Sequence, residues 1–208
     1  CSRTLKHTVH LDKVKAERFL LPISKKKTHV IEIHAGQITT TDLTVSLPPT
    51  SNFEPFGGYS KIAAVERHHN TGKIGVAVAK GYGIRNGAVA SSVSHDSHNI
   101  IVIGDNDVDM AIAVNEIVRT QGGYTVVENG KVYETLARPI MGLMSDVGFE
   151  NVNEALQRMI QKAHQMGVAA QIDPFVTLSF LALPVIPELR ITPRGICKMT
   201  AKGPVILS

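Results

Sequence analysis

The feature that most constrains this fold is a series of short apolar segments separated by turn-forming residues. Residues 61–65 and 74–78 are apolar apart from Lys61 and flank a polar turn at residues 67–72, as in a β-hairpin. Residues 28–47 alternate between apolar and polar side chains, which predicts two or three strands with a turn at Gly36. The chain therefore favours antiparallel strands that are joined by short turns.

Further strands follow towards the carboxyl end. Four consecutive apolar residues at 100–103 predict a buried strand. An Asn-Gly pair at 129–130 lies between apolar residues 124–127 and Val132, which predicts a second hairpin.

Two segments instead have helical spacing of their apolar residues. Residues 110–118 follow the helix-capping residues 105–107, and residues 153–165 are amphipathic and end before Gly167. Residues 175–185 are apolar and interrupted by proline, and we expect a packed strand or loop there. Hairpins followed by helices predict an α+β fold, with mainly antiparallel sheet and helices packed on its outer faces.

The first 27 residues lack sustained periodicity, so residues 1–27 are expected to be a linker or interdomain segment. Residues 28–208 then form the domain, with residues 28–50 as a short strand-rich lead-in.

The chain begins with Cys1 and not with Met, which suggests a fragment or a processed product. The two cysteines, Cys1 and Cys197, are too few for a disulfide framework, and we expect a cytoplasmic location.

Charge and composition exclude some partners. The formal net charge is +4, the basic residues are scattered apart from Lys25 to Lys27, and aromatic residues make up 5% of the chain. Nucleic-acid binding requires a broader basic face with aromatic side chains, so no nucleic-acid partner is expected. No apolar run approaches the length of about 18 residues that spans a bilayer, so no membrane partner is expected either.

The segment SHDSHN at residues 94–99, called the polar loop below, directly precedes the apolar residues 100–103. A carboxylate beside an imidazole fixes its tautomer and raises its basicity, so His95, Asp96 and His98 are candidate catalytic residues. The alternative is a structural turn, because Ser, Asp and Asn side chains bond to their own backbone. Two histidines are too few ligands for a metal site, so no metal ligands are predicted.

A second polar segment contains Arg67 and His68, between two apolar strands. It is either a solvated hairpin tip or a wall of the same pocket as the polar loop. In the pocket interpretation, Arg67, His68, Ser94, Ser97 and Asn99 would line the substrate pocket. Elsewhere, Glu188 and Arg190 are expected to form an ion pair.

The common hydrolase, nucleotide-triphosphatase and dinucleotide motifs GxSxG, GxxxxGK[ST] and GxGxxG are absent from the sequence, as is any His-x-His pair. From the residues alone, the inference ends at an α+β domain with one histidine-rich polar loop.

Five segments, which occur in the family's order across about residues 28 to 196, resemble microbial adenine deaminases of the amidohydrolase superfamily. They are VERHHNTGKIG at 65–75, GAVASSVSHDSHN at 87–99, DVDMA at 107–111, PIMGLMSD at 139–146 and DPFVTLSFLALPVIPELR at 173–190. The matches fall in the carboxyl-terminal domain of that family.

The resemblance implies hydrolysis of adenine to hypoxanthine and ammonia. It also implies a binuclear manganese or iron centre in an N-terminal barrel of the same protein, whose His-x-His motif this sequence lacks. We therefore expect this chain alone to be inactive and to bind no such metal pair, and the polar loop to close over the barrel mouth. The alternative is a non-catalytic structural or oligomerisation domain, and formation of a homo-oligomer stays open.

Overall fold

The computed structural model describes residues 3–24 and 27–207, so Cys1, Lys25 and Lys26 lie outside the described residues. Three α-helices are present in this part of the chain: α1 (Asp107–Arg119), α2 (Phe149–Gln165) and α3 (Pro174–Leu181). Short 3-10 helices span Arg3–Lys6 and Ala16–Phe19. The strands are β1 (Thr28–Ile33), β2 (Thr40–Val45), β3 (Tyr59–Val65), β4 (Ile74–Lys80), β5 (Gly87–Ser91), β6 (Ile100–Gly104), β7 (Gly123–Glu128), β8 (Lys131–Ala137), β9 (Leu189–Thr192), β10 (Gly195–Thr200) and β11 (Gly203–Leu207).

The strands form an eight-stranded sheet, in the order β2-β1-β4-β3-β6-β5-β7-β8, and a three-stranded sheet in the order β11-β10-β9. Neighbouring strands are antiparallel except β1 and β4, which are parallel. The predicted hairpins are confirmed, with β3 paired to β4 and β7 paired to β8 across Asn129 and Gly130. The α+β prediction with a mainly antiparallel sheet is therefore also confirmed.

Both faces of the large sheet are covered, as the side chains of β6 show. Ile100 and Val102 pack in the cluster that contains α1, whereas Ile101 and Ile103 pack in the cluster that contains α2, α3 and β9. Successive side chains of a strand point to opposite faces, so a strand that is covered on both faces is apolar at every position. The predicted buried strand at residues 100–103 is confirmed.

Helix α1 begins where the sequence predicts, because the side chain of Asn106 accepts a hydrogen bond from the backbone N–H of Asp109. The prediction of a strand or loop at residues 175–185 is wrong for residues 175–181, which belong to helix α3 (Pro174–Leu181), whereas residues 182–185 form a loop. Asp173 caps this helix and Pro174 occupies its first turn, which fits a residue that lacks a backbone N–H.

The described part of the amino-terminal segment lies against the α1 side of the sheet. Val9, Val14 and Phe19 are buried in the α1 cluster, and Ile23 is buried and pairs with Thr50. Backbone bonds also join the segment to the domain, for example from His10 N to the carbonyl oxygen of Arg67 at 2.7 Å. The sequence analysis expected a linker here, and the structure shows a packed segment. The division of the chain into domains at residue 28 stays a prediction.

The predicted ion pair between Glu188 and Arg190 is wrong. Arg190 is buried and its guanidinium donates to the carbonyl oxygens of Ile38 and Pro187, at 2.7 and 3.0 Å. Glu188 instead accepts a hydrogen bond from the backbone N–H of Asp42 at 2.6 Å.

Among the residues that the structure describes, no helix is both long and apolar enough to cross a lipid bilayer.

Candidate active site

The polar loop connects β5 to β6, at one end of the large sheet. Val65, the last residue of β3, pairs with Ile100, the first residue of β6. The polar turn after β3 and the polar loop before β6 therefore meet at the same end of the sheet. They are in contact, because the Nε2 atom of His68 lies 2.7 Å from the carbonyl oxygen of Ser97. The structure thus brings together the two polar segments that the sequence analysis singled out.

Two residues of the polar loop hold its backbone in place. The buried hydroxyl of Ser94 donates to the carbonyl oxygen of Asn99 at 2.6 Å, and the N–H of His98 donates to the carbonyl oxygen of Ser94 at 2.7 Å. The side-chain amide of Asn99 donates to the Ser97 hydroxyl at 3.1 Å and accepts from the N–H of Arg67 at 3.4 Å. These bonds form a structured turn, and the predicted contacts of Ser94, Ser97 and Asn99 with substrate stay predictions.

His95 and Asp96 extend from this turn into solvent. The side chain of His95 is 40% exposed and that of Asp96 is 86% exposed. The Nδ1 atom of His95 lies 3.7 Å from Oδ1 of Asp96, which is an ion-pair distance but too long for a hydrogen bond. The loop therefore presents an imidazole and a carboxylate together, while the side chains of Ser94, Ser97 and Asn99 bond within the protein.

His98 lies 6.1 Å from His95 between ring centroids, and its backbone is in the left-handed region at φ +50°. Its Nδ1 atom is buried and has no hydrogen-bond partner among the described residues. Burial lowers the pKa of the His98 imidazole, and the positive charges of Arg67 and His95 lower it further. His98 is consequently a neutral imidazole at pH 7, which can accept or donate one proton at a ring nitrogen.

Arg67 is 2% exposed and braces the polar loop from the protein interior. Its guanidinium donates to the carbonyl oxygens of His98, Thr8 and Met141. Burial lowers the pKa of Arg67 to about 10, so the side chain stays charged at neutral pH. These contacts make Arg67 a support of the loop, and its predicted contact with substrate stays a prediction.

A cavity of about 310 Å³ lies beside the polar loop. Asp96, Ser97 and Asn99 line one side of it, and residues 182–185 and 191–193 form a mainly apolar wall. Binding sites for small ring compounds combine an apolar wall with a few polar groups that fix orientation. This cavity therefore has the size and lining expected of a pocket for a small planar molecule.

The sequence analysis missed two residues that contact the loop. The carbonyl oxygen of Ser179 accepts a bond from the backbone N–H of His95 at 3.0 Å, and the ring of Phe180 lies 5.1 Å from that of His95. The available signal was the resemblance of residues 173–190 to the family, because no local pattern links them to a loop 80 residues earlier.

The described residues do not fit the manganese or iron centre that the resemblance implies. Within residues 3–24 and 27–207, no group of three or more His, Cys, Asp or Glu side chains is placed to hold a metal ion. We therefore derive no chemical step through a metal from the residues of this chain.

The fold and the site together define the class of the protein: an α+β domain that presents a histidine-containing loop beside a small-molecule cavity. The family model described as "Adenine deaminase C-terminal domain" matches residues 37–202. The chain belongs to this family of adenine deaminase C-terminal domains.

Curated relatives agree with the family match. The chain is 47% identical to adenine deaminase of Desulfitobacterium hafniense over 197 residues, which is 94% of this chain and 35% of that protein. It is 43% identical to adenine deaminase of Nitratidesulfovibrio vulgaris strain DP4, over 92% of this chain and 34% of the relative. It is 42% identical to adenine deaminase of Bacillus subtilis, over 86% of this chain and 31% of the relative. The chain thus spans about one third of the length of the curated relatives it matches.

Proposed function

We propose that this chain serves as the C-terminal domain of an adenine deaminase, an enzyme that hydrolyses adenine to hypoxanthine and ammonia. Its family and the names of its relatives support this proposal. The proposed partner is an N-terminal amidohydrolase barrel of the same protein, which would hold a manganese or iron pair that activates water. The inactivity of the isolated chain and its cytoplasmic location stay predictions.

We further propose that the polar loop completes the active site. The observation that carries this proposal is the exposure of His95 and Asp96 on a loop that is held in place by the internal bonds of Ser94, Ser97 and Asn99. Hydrolytic deamination requires a proton to leave the attacking water and a proton to reach the departing ammonia. The His95 imidazole can carry such a proton, and its Nδ1 atom lies 3.7 Å from the Asp96 carboxylate.

The neutral His98 would act closer to the loop backbone. Its buried Nδ1 atom has no partner among the described residues, and burial favours the uncharged ring. A neutral imidazole that lacks an internal partner is suited to hydrogen-bond a ligand atom. The cavity beside Asp96, Ser97 and Asn99 would exclude water from the ring of the substrate.

A non-catalytic structural or oligomerisation role is the second candidate function. Exposed apolar side chains at the start of α2 and just before it favour this role, since Val147 is 50% exposed and Phe149 is 83% exposed. Large exposed apolar residues that are close in sequence are typical of a surface that contacts another domain or subunit.

Steady-state kinetics on the complete protein that carries this chain separates the two functions. We expect His95→Ala and His98→Ala each to lower kcat/KM for adenine by at least ~10-fold, about 1.4 kcal/mol of transition-state stabilisation. The thermal midpoint of His95→Ala should stay close to that of the wild type, because its exposed side chain contributes little packing.

The matched control is His34→Ala, because His34 is also a partly exposed histidine, and its Nε2 atom contacts Thr41 away from the polar loop. This control should retain the wild-type kcat/KM. If both polar-loop variants also keep the wild-type kcat/KM, the polar loop is a structural turn and the second candidate function is favoured.

A further inference from the structure

We propose that Phe180 is a positioning residue that holds the imidazole of His95 in one orientation at the candidate active site. The catalytic consequence of this inference rests on the proposed function, whereas the contact between the rings does not. The inference assigns a role to the end of helix α3, which does not line the cavity that the proposed function uses.

The ring of Phe180 lies close to the ring of His95. The ring centroids of His95 and Phe180 are 5.1 Å apart, with an angle of 34° between the ring planes. The backbone N–H of His95 also donates to the carbonyl oxygen of Ser179 at 3.0 Å. Two consecutive residues at the end of α3 therefore fix the backbone and the side chain of His95.

Phe180 is the main restraint on the His95 ring. Within the described part of the chain, no side-chain atom of His95 makes a hydrogen bond. The nearby carboxylate of Asp96 is 3.7 Å away and 86% exposed, so it is a weak restraint. The ring of Phe180 is then the nearest aromatic contact of His95, at 5.1 Å compared with 6.1 Å for the ring of His98, and we infer that it orients the imidazole.

Helix α3, which carries Phe180, is itself held firmly in the fold. Asp173 caps its first turn, and the carbonyl oxygen of Pro174 accepts a bond from the buried hydroxyl of Tyr82 at 3.0 Å. The ring of Phe175 stacks on that of Tyr124, with 4.4 Å between centroids. A catalytic side chain needs neighbours that are themselves locked by packing, and α3 meets this requirement.

Phe180→Leu tests the inference, because it keeps an apolar side chain and removes the ring. Phe180→Tyr keeps the ring and serves as the conservative variant. The matched control is Phe56→Leu, which removes an exposed aromatic ring that lies 5.3 Å from Tyr59 and away from the polar loop. All three variants are made in the complete protein that carries this chain.

The first measurement is NMR of the protein labelled with ¹³C-histidine, with the His95 signal assigned from its loss in His95→Ala. The ring current of Phe180 should shift the His95 ring protons upfield in the wild type and in Phe180→Tyr. In Phe180→Leu the signal should move towards that of an exposed histidine, while Phe56→Leu should leave it unchanged. An unchanged His95 signal in Phe180→Leu overturns the inference, whatever the kinetics show.

The second measurement is kcat/KM for adenine. We expect Phe180→Leu to lower it about 2- to 10-fold, the factor that corresponds to one aromatic pair, and Phe180→Tyr to restore most of the loss. In the His95→Ala background, Phe180→Leu should have no further effect. An equal loss in that background shows that Phe180 acts separately from His95 and overturns the inference. If His95→Ala itself keeps the wild-type kcat/KM, the proposed role of the polar loop fails, and the NMR result alone decides on the ring contact.

Discussion

Glu66 closes the polar turn that carries Arg67 and His68. Its carboxylate accepts hydrogen bonds from the backbone N–H groups of His68 at 2.5 Å, His69 at 2.9 Å and Thr71 at 3.1 Å, and from the Thr71 hydroxyl at 2.9 Å. Burial raises the pKa of Glu66, but these hydrogen bonds outweigh it and lower the pKa to about 2.

The lowered pKa predicts a dependence of stability on pH. The carboxyl group has an ordinary pKa of 4.5 and a folded-state value of about 2, so its contribution is fully present above pH 4.5. The contribution is lost as the pH falls from 4.5 towards 2, because the carboxylate is protonated. We expect Glu66→Gln to lower the thermal midpoint at pH 7, and the difference from the wild type to shrink at pH 3.

Thermal melts of both proteins between pH 7 and pH 3 measure this effect. Glu17→Gln is the matched control, because Glu17 is exposed and its side chain makes no hydrogen bond or ion pair with another described residue. A midpoint difference for Glu66→Gln that stays constant across this range contradicts the prediction.

For single residues, the sequence could reveal the polar groups of the candidate site but not all of their partners. His95, Asp96 and Arg67 are visible because polar residues cluster where apolar strands begin and end. Arg67 looks like a pocket residue in the sequence, yet the structure directs its guanidinium at three carbonyl oxygens. A single sequence does not determine such long-range contacts, because they depend on how distant elements pack.

Among the elements, α3 is the one that the sequence analysis assigned wrongly. Its residues are mostly apolar, because the helix packs on the large sheet beside β9, although Val176 is 51% exposed. Without a polar face, a helix has no 3.6-residue pattern, and a short apolar run is equally consistent with a strand. The Asp173-Pro174 pair was the signal that could have identified the helix, since it combines an N-cap with a proline in the first turn.

The N-cap of helix α3 supports a prediction about the stability of the domain. The carboxylate of Asp173 accepts from the N–H groups of Phe175 and Val176, each at 2.9 Å. Asp173→Ala leaves both donors without this partner, so we expect a loss of about 1 kcal/mol in the free energy of unfolding. Urea denaturation followed by circular dichroism measures it.

Asp173→Asn is the control for the cap, because asparagine caps helices about as well as aspartate. It should retain most of the stability that Asp173→Ala loses. Equal losses in the two variants would show that the charge of Asp173, and not the capping bond, stabilises the helix.

Across the whole molecule, one buried cation joins three parts of the chain that are distant in sequence. Lys61 of β3 is 1% exposed, and its ammonium group donates to the carbonyl oxygen of Phe19 at 3.0 Å. It also donates to the side chains of Asn52 and Asp107, each at 2.6 Å. Burial lowers the pKa of Lys61, while the bond to Asp107 opposes this shift. The group thus ties the amino-terminal segment and the start of α1 to the large sheet.

The sequence alone did not indicate this link. A lysine at the start of an apolar strand is usually exposed, and the amino-terminal segment has no regular pattern that predicts packing. The strands and α1 were predictable because their periodicity is local. The attachment of residues 3–24 was not, because it depends on polar contacts with distant residues, such as those 42 positions from Phe19 and 101 positions from Val14.

Lys61→Met tests whether this cation holds the amino-terminal segment in place. Methionine fills the space of the lysine stem but leaves the Asp107 carboxylate without its buried partner, which costs about 3–5 kcal/mol. We expect a lower free energy of unfolding and faster hydrogen exchange in residues 3–24, measured by urea denaturation and by mass spectrometry. Adding Asp107→Asn should recover part of the stability, because it removes the unpaired charge. If Lys61→Met unfolds at the same urea concentration as the wild type and exchanges no faster, the prediction is wrong, and the backbone hydrogen bonds of the segment and the apolar contacts of Val9, Val14 and Phe19 hold it without this cation.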